Sequence, residues 1–144
     1  MKCKSLVFII GVCVAVAMMF SLLIIERGSA QECRVIRIMG KAEHLPLTLE
    51  QPNTFINKGD CVVWFNRAFA NEVQVSFKEG KKCLDVTKSS MGFTLNAESC
   101  FVTSWIPFAG TSSLRFMEKG TYKYEVKAKS MPGPNAEEGQ IIVE

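Results

Sequence analysis

The chain has 144 residues, of which 48% are hydrophobic and 22% are charged, so it can form one ordinary domain and little more. Beyond residue 30 it carries 14 Lys and Arg against 13 Asp and Glu, which argues against the basic face that nucleic-acid binding requires. The single histidine, His44, excludes most zinc sites and every catalytic site built on two imidazoles.

The first thirty residues have the order of an export signal. Residues 1–4 form a basic head, residues 6–25 are an uncharged run, and residues 28–30 read Gly-Ser-Ala, a small-residue cleavage site. The uncharged run is longer than a usual signal core of about 7 to 15 residues, and as a helix it would cross about 30 Å of hydrocarbon. Residues 1–30 are therefore either a cleaved signal peptide or a retained membrane anchor, and both alternatives stay open.

The charges beside this run predict its orientation. Lys2 and Lys4 lie on one side, whereas Arg27 on the other side is offset by Glu26. An excess of cations marks the cytoplasmic side of a membrane helix, so the amino terminus is expected inside and residues 31–144 outside. We therefore expect a periplasmic or extracytoplasmic domain, anchored in the inner membrane through a hydrophobic helix at residues 6–25 if the leader is retained.

The cysteines agree with export. Two of the six belong to the leader, and four remain in the domain: Cys33, Cys61, Cys83 and Cys100. An even number in an oxidising compartment is typical of structural disulfides. No C-x-x-C spacing is present, so neither a zinc knuckle nor a thioredoxin-type redox pair is indicated. The residues alone leave three pairings open.

From Cys33 onward the apolar residues alternate with a period near two, as in half-buried strands. The strands predicted in this way are residues 35–38, 45–49, 61–65, 73–77, 93–95, 101–106, 113–117, 121–126 and 140–143. No window between residues 31 and 144 keeps helical periodicity for three turns. The pattern predicts an all-β domain, either a sandwich or a small barrel, and an immunoglobulin-like sandwich would share it.

Several segments of the domain resemble the cupredoxin family. Residues 57–66 are similar to the glycine turn and central strand that end in Trp-x-Asn, and residues 71–73 are similar to the His-Asn-Val that opens the next strand. Residues 119–126 resemble the Pro-Gly-Thr-Tyr-x-Tyr-x-Cys hairpin, and residues 139–143 its closing strand. The resemblance covers about residues 33–144 and implies a Greek-key β-sandwich or barrel of about seven to eight strands.

The resemblance also places four copper ligands. A type 1 copper site uses two imidazoles, a thiolate and a long axial thioether. These fall on Asn71 for the first histidine, Val126 for the cysteine, Lys129 for the second histidine, and on or near Glu137 for the axial methionine. None of the first three supplies an imidazole or a thiolate. The type 1 site is therefore predicted to be vacant, and no cofactor is expected.

Other residues offer an alternative copper site. His44, Met131 and Met91 carry an imidazole and two thioethers, and thioethers suit Cu(I). An unconventional Met, His or Cys ligand set would make the chain a copper-binding or electron-transfer protein. Met39 and Met117 lie in strand patterns and are expected to fill the core.

The resemblance puts Cys33 and Cys61 in neighbouring strands of one sheet, which favours a Cys33–Cys61 disulfide. Cys83 and Cys100 then remain for a second disulfide, which would close part of the family's variable segment.

Phe69 falls in a loop at the end of the domain where the family keeps its metal. Together with residues 108–110 and 131–134 it would either form a recognition patch or pack over the vacant site.

These observations predict an exported, membrane-tethered domain that acts as a binding or interaction module. Its expected partner is a protein at the membrane surface, of unknown identity. The sequence contains no serine beside a base, no paired acids in a motif and no glycine-rich phosphate loop, so no enzymatic activity is expected.

Overall fold

A computed structural model describes residues 32–40, 46–69, 72–78, 90–98, 100–129 and 136–144. Within these ranges the chain forms eleven strands and no helix. The strands are β1 (Cys33–Gly40), β2 (Thr48–Leu49), β3 (Asn53–Ile56), β4 (Cys61–Ala68), β5 (Val73–Phe77), β6 (Ser90–Met91), β7 (Phe93–Leu95), β8 (Phe101–Thr103), β9 (Thr111–Arg115), β10 (Gly120–Ala128) and β11 (Ala136–Val143).

The strands form two sheets. The five-stranded sheet has the order β2-β1-β4-β9-β6, and the six-stranded sheet has the order β3-β11-β10-β5-β8-β7. The pairs β1–β4 and β3–β11 are parallel, and the other paired strands are antiparallel. The predicted all-β architecture is confirmed. The strand number exceeds the seven to eight that the resemblance implies, and the two strands that the alternation did not predict, β3 and β6, have only four and two residues, too few for an alternating pattern to identify.

The segment that leads into β4 has the conformation that its residues predict. Gly59 has a φ of 96°, in the left-handed region that glycine adopts without a Cβ penalty. Asp60 N–H donates to the carbonyl of Asn57 at 3.1 Å, and the Asp60 carboxylate accepts from Asn57 N–H at 3.0 Å. This turn delivers the chain into the central strand of the five-stranded sheet.

Trp64 on β4 lies at the centre of the core and has no exposed surface. Its ring makes edge contacts with Phe77, Phe93 and Tyr124, at centroid distances of 5.8, 5.3 and 5.5 Å. All three partners belong to the six-stranded sheet, so this cluster joins the two sheets. Such aromatic pairs each contribute about 0.5–1.5 kcal/mol beyond the burial of their surface.

One predicted disulfide is confirmed and one stays a prediction. Cys33 on β1 lies directly opposite Cys61 on β4 in the parallel register, with a Cα–Cα distance of 4.5 Å, and the two are bonded. Cys100 is buried, with 1% of its surface exposed. Its predicted partner Cys83 lies outside the described residues.

Several other predictions also fall outside the described residues: the leader at residues 1–30, His44, Asn71 and Met131. In the described ranges, no helix has the length and apolar character needed to span a membrane. The expected core position of Met39 is wrong, because its side chain is 37% exposed on β1. In that strand Ile36 and Ile38 point inward, so Met39, one residue further, points outward.

The polar ends of two core aromatics have no hydrogen-bond partner of ordinary geometry among the described residues. Trp64 Nε1 and Tyr124 Oη are buried without a partner among the described residues, whereas Tyr122 Oη donates to the carbonyl of Glu118 at 2.9 Å. Burial raises the pKa of the Tyr124 phenol above its ordinary value of 10.0, and the neighbouring Trp64 indole lowers it by less. The phenol is held neutral because a phenolate would lose its hydration in this core.

These two tyrosines give a matched pair of substitutions. Tyr124→Phe removes an unpartnered buried hydroxyl and should raise the free energy of unfolding at neutral pH by about 1 kcal/mol or more, whereas Tyr122→Phe should lower it by about 1 kcal/mol. The pKa of Tyr124 is higher in the folded state than in the unfolded chain. The stability that goes with its neutral phenol is therefore fully present below pH 10 and is lost as the pH rises beyond that value. Urea unfolding at neutral pH and above pH 10 measures both effects. Equal losses at neutral pH would show that Tyr124 has a partner.

Removal of the Cys33–Cys61 disulfide should destabilise the domain strongly. The two cysteines are 28 residues apart, and the chain-entropy model gives about 3.5 kcal/mol for a loop of that length. A Cys33→Ser/Cys61→Ser double variant, measured by thermal unfolding, tests this. Reductant added to that variant should lower its stability further if Cys83 and Cys100 are also bonded, and an unchanged melt would contradict the second disulfide.

Candidate functional site

The candidate site lies at the end of the domain where β4 finishes, β5 begins and β10 finishes. We call it the Phe69 pole. It comprises five side chains from three separate segments of the chain: Phe69 contacts Phe108, and Lys129 contacts Glu72 and Trp105.

Asn66 fixes the end of β4 at this pole. Its side chain is fully buried, its Nδ2 donates to the carbonyl of Ile106 at 2.9 Å, and its Oδ1 accepts from Ala68 N–H at 2.8 Å. Its backbone N–H and carbonyl bond to Gly110 and Ala109. Asn66 therefore holds the loop before β9 against β4, which gives the asparagine of the Trp-x-Asn element a structural role.

The same loop is also bonded to β5. Val73 N–H donates to the carbonyl of Ile106 at 3.0 Å, and Ile106 N–H donates to the carbonyl of Val73 at 2.7 Å. Ile106 thereby accepts from the Asn66 side chain and from Val73 at once. These bonds hold Glu72 and Trp105, the neighbours of Val73 and Ile106, in fixed backbone positions.

Lys129 lies between Glu72 and Trp105. Its backbone N–H donates to the carbonyl of Glu72 at 2.9 Å, its ammonium group forms an ion pair with the Glu72 carboxylate, and Nζ lies 5.8 Å from the centroid of the Trp105 ring. The two charged side chains are 55% and 42% exposed, so the ion pair is worth at most about 1 kcal/mol. A cation–π contact at an exposed site adds about 0.5–1 kcal/mol.

Val126, at the position where the resemblance places the copper thiolate, is fully buried on β10. It lies opposite Val75 on β5 and Glu137 on β11. The isopropyl group of Val126 has no donor atom, and Lys129 presents a cation engaged with a carboxylate. The chemistry of these two side chains does not suit type 1 copper.

Of the three weaker metal candidates, His44, Met131 and Met91, the described residues include only Met91. Met91 lies on β6 in the five-stranded sheet and is 66% exposed, whereas Val126 and Lys129 belong to or follow β10 in the six-stranded sheet. His44, Met131 and Asn71 lie outside the described ranges, so their predicted roles stay predictions. In the part of the chain that the structure describes, no three His, Cys, Asp or Glu residues cluster in a way that could hold a metal ion.

The most exposed part of the pole is aromatic. Phe69 and Phe108 are 64% and 52% exposed, and their rings meet edge to face at 5.8 Å and 76°. Phe108 stands at the tip of the turn from Pro107 to Gly110, closed by Gly110 N–H donating to the carbonyl of Pro107 at 2.9 Å. Ala109 in this turn has a φ of 63°, which is costly for a residue with a Cβ. The turn therefore holds a phenylalanine in solvent.

Sequence reasoning missed two features. Trp105, the aromatic partner of Lys129, comes from a different segment, and no spacing signal links the two. The second missed feature is an open cavity of about 450 Å³ along the strands of the six-stranded sheet. It is separate from the Phe69 pole, because Lys123 on its wall lies six residues before Lys129, a distance of about 20 Å along β10. It is lined by Asn53, Lys78, Lys123, Tyr124, Glu138, Gly139 and Gln140.

Opposite charges meet at this cavity. Lys78 Nζ donates to the Glu138 carboxylate at 2.5 Å, which raises the pKa of Lys78 and lowers the pKa of Glu138. Glu125 lies 3.6 Å from the same ammonium group. The lysine is therefore satisfied by two carboxylates of its own chain.

Comparison with known proteins gives structural relatives alone. No protein-family model matches the chain, and no curated protein matches it. Solved structures do match. One is the Cu(I) form of a methionine-to-alanine variant of amicyanin, at 25% identity and a TM-score of 0.50. Another is the oxidised state of a proline-to-alanine variant of amicyanin, at 24% identity and a TM-score of 0.50. Each match covers 81% of this chain and 87% of the amicyanin chain.

A further match is amicyanin from Paracoccus versutus, at 21% identity, a TM-score of 0.49, and coverage of 83% of this chain and 86% of that one. The two matches at a TM-score of 0.50 agree with the two-sheet, all-β architecture described above. The chain has the cupredoxin fold.

Proposed function

We propose that this chain is an exported, membrane-tethered cupredoxin-like domain that acts as a binding module and carries no type 1 copper. Its partner is a protein at the membrane surface, bound through the Phe69 pole, and the chain is not an enzyme. The observation that carries the proposal is the contact between the exposed rings of Phe69 and Phe108, both held in solvent by bonded backbone.

The pole has the composition of an interaction surface. Aromatic side chains give large buried areas on binding and are enriched among the residues that dominate binding energy. Glu72 and Lys129, at the same end of the domain, carry charges of opposite sign, as the polar residues of a binding surface do. The backbone bonds of Asn66 and Ile106 fix the pole before any partner arrives, which reduces the entropy lost on association.

The chemistry of the described ligand positions supports a role without copper. A buried thiolate and two imidazoles need the charge of a metal, whereas the Val126 isopropyl group packs without one. The Lys129 ammonium group repels a cation and is already paired with Glu72. These side chains leave folding independent of copper.

A second candidate function is copper binding or electron transfer. The amicyanin matches include a Cu(I) form, and the Met91 thioether is 66% exposed and suited to Cu(I). Under this alternative His44 or Met131 would join Met91 in an unconventional ligand set.

The first test removes the aromatic surface. A Phe69→Ala/Phe108→Ala double variant should weaken capture of the partner by about thirtyfold or more, since even one residue that dominates an interface costs about 2 kcal/mol or more when truncated. The measurement is crosslinking in intact membranes, followed by quantification of the captured protein. Phe55→Ala is the matched control, because Phe55 is 58% exposed but lies on β3. Equal capture by the double variant and the control would contradict the proposal.

The second test separates the two functions. Thermal unfolding of residues 31–144 with chelator, then with Cu(I) and with Cu(II), should give the same melting temperature. A site that binds only the folded state would stabilise it by about 2.7 kcal/mol at a hundredfold excess of copper over Kd. An upward shift that Met131→Ala or His44→Ala abolishes, and that the control Met117→Leu retains, would establish the copper function instead.

A further inference from the structure

The outer face of the five-stranded sheet carries several exposed apolar side chains. On β1 the side chains of Val35 and Met39 are 44% and 37% exposed, and on β6 Met91 is 66% exposed. Val63 and Phe65 on β4 are half-buried and point the same way, because Val62 and Trp64 point into the core. We call these five side chains the outer face.

The register makes these side chains neighbours. Val35 lies opposite Val63, Val63 opposite Ser113, and Ser113 opposite Met91, so one row crosses four strands. Directly opposed residues of neighbouring strands lie about 4.5–5.5 Å apart, so the row is continuous across the sheet. Phe65 lies two residues further along β4 and extends it.

The charges on this sheet have one sign. The five strands of the sheet contain no Asp or Glu, and they contain four arginines: Arg34, Arg37, Arg67 and Arg115. Arg37 lies opposite Phe65 and Arg67 opposite Met39, so two of the arginines are interleaved with the apolar side chains. Glu50, just after β2, pairs with Arg37 at 2.8 Å.

The six-stranded sheet provides an internal comparison. Its strands β10 and β11 carry both signs, with Lys123, Lys127, Glu125, Glu137 and Glu138. A single sign of charge within the strands is therefore a property of the five-stranded sheet, although Glu32 and Glu50, which flank its strands, pair with Arg34 and Arg37.

The leader adds a constraint on distance. Seven residues separate the end of the uncharged run at Ile25 from β1 at Cys33, and seven extended residues span at most about 25 Å. This inference rests on the retained anchor of the proposed function. Such an anchor would keep the start of β1 within about 25 Å of the bilayer. Because the tether keeps the domain at a high effective concentration near the lipid, even a face with weak affinity for lipid would stay bound to it.

We infer that the outer face docks on an anionic lipid surface. Arg37 and Arg67 contact the anionic headgroups, and Val35, Met39 and Met91 lie at the boundary with the acyl chains. Apolar side chains interleaved with cations are the pattern by which protein surfaces lie on anionic bilayers. Each arginine near such a surface strengthens binding by about fivefold.

The test uses the full chain reconstituted at one copy per lipid nanodisc, with discs of phosphatidylglycerol or of phosphatidylcholine. Hydroxyl-radical oxidation followed by mass spectrometry reports the solvent access of each side chain. In phosphatidylglycerol, oxidation of Met39 and Met91 should be slower than in phosphatidylcholine by about fivefold for each of the two arginines, because the arginines add their attraction only there. Phe55 and Phe108 should be oxidised equally in both lipids.

A charge variant and its matched control complete the experiment. Arg37→Gln/Arg67→Gln should restore rapid oxidation of Met39 and Met91 in phosphatidylglycerol discs, whereas Lys123→Gln/Lys127→Gln on the other sheet should keep the protection. Both variants must melt as the parent chain does.

Each other outcome overturns the inference. Equal oxidation in the two lipids, with the chain retained in the disc, overturns the docking face and leaves the tether intact. Protection that appears only when discs carry two chains assigns the face to a second copy of the chain. A chain that separates from the lipid during purification overturns both the tether and the docking face.

Discussion

The packing of Trp64 is the interaction on which the rest of the domain depends. This side chain is fully buried on the central strand of the five-stranded sheet, and its partners Phe77, Phe93 and Tyr124 all come from the other sheet. Because strand side chains alternate, the position of Trp64 also sets those of its neighbours on β4. Asn66, two residues on, points inward and fixes the Phe69 pole, while Phe65 points outward and joins the outer face. One strand thus supplies the core and supports both candidate surfaces.

This arrangement has an energetic cost at Trp64 and Tyr124. Each leaves a polar atom buried without a hydrogen bond among the described residues, and such an atom costs about 1–3 kcal/mol. The aromatic surface buried by the cluster must exceed that cost. Room for the Tyr124 ring comes from Gly139, directly opposite on β11, where a Cβ would overlap the ring. The glycine of the closing strand is therefore required by packing, at a position where its backbone conformation is ordinary.

The sequence was sufficient for the parts of the fold that rest on local alternation. Val73, Val75 and Phe77 alternate cleanly, and β5 forms where that pattern predicts it. The Cys33–Cys61 pairing required the family resemblance, because spacing alone allows three pairings. β3 was missed because Pro52 and Asn53 read as a turn, and its pairing with β11 depends on residues far along the chain. The sequence could not predict the contact of Lys129 with Trp105 either, because the two residues lie in separate segments that only the folded chain brings together.

The parallel pairing of β1 and β4 also determines how the two candidate surfaces are related. Both strands run from the Cys33–Cys61 disulfide to Gly40 and Ala68, beside the Phe69 pole, a distance of about 23 Å. The chain therefore enters the domain at the end of these strands farthest from the pole. The outer face lies along the strands, whereas the pole lies at their ends, so the two candidate surfaces occupy different parts of the domain. The strand that carries side chains of the proposed lipid-docking face thus leads directly into the proposed protein-binding pole.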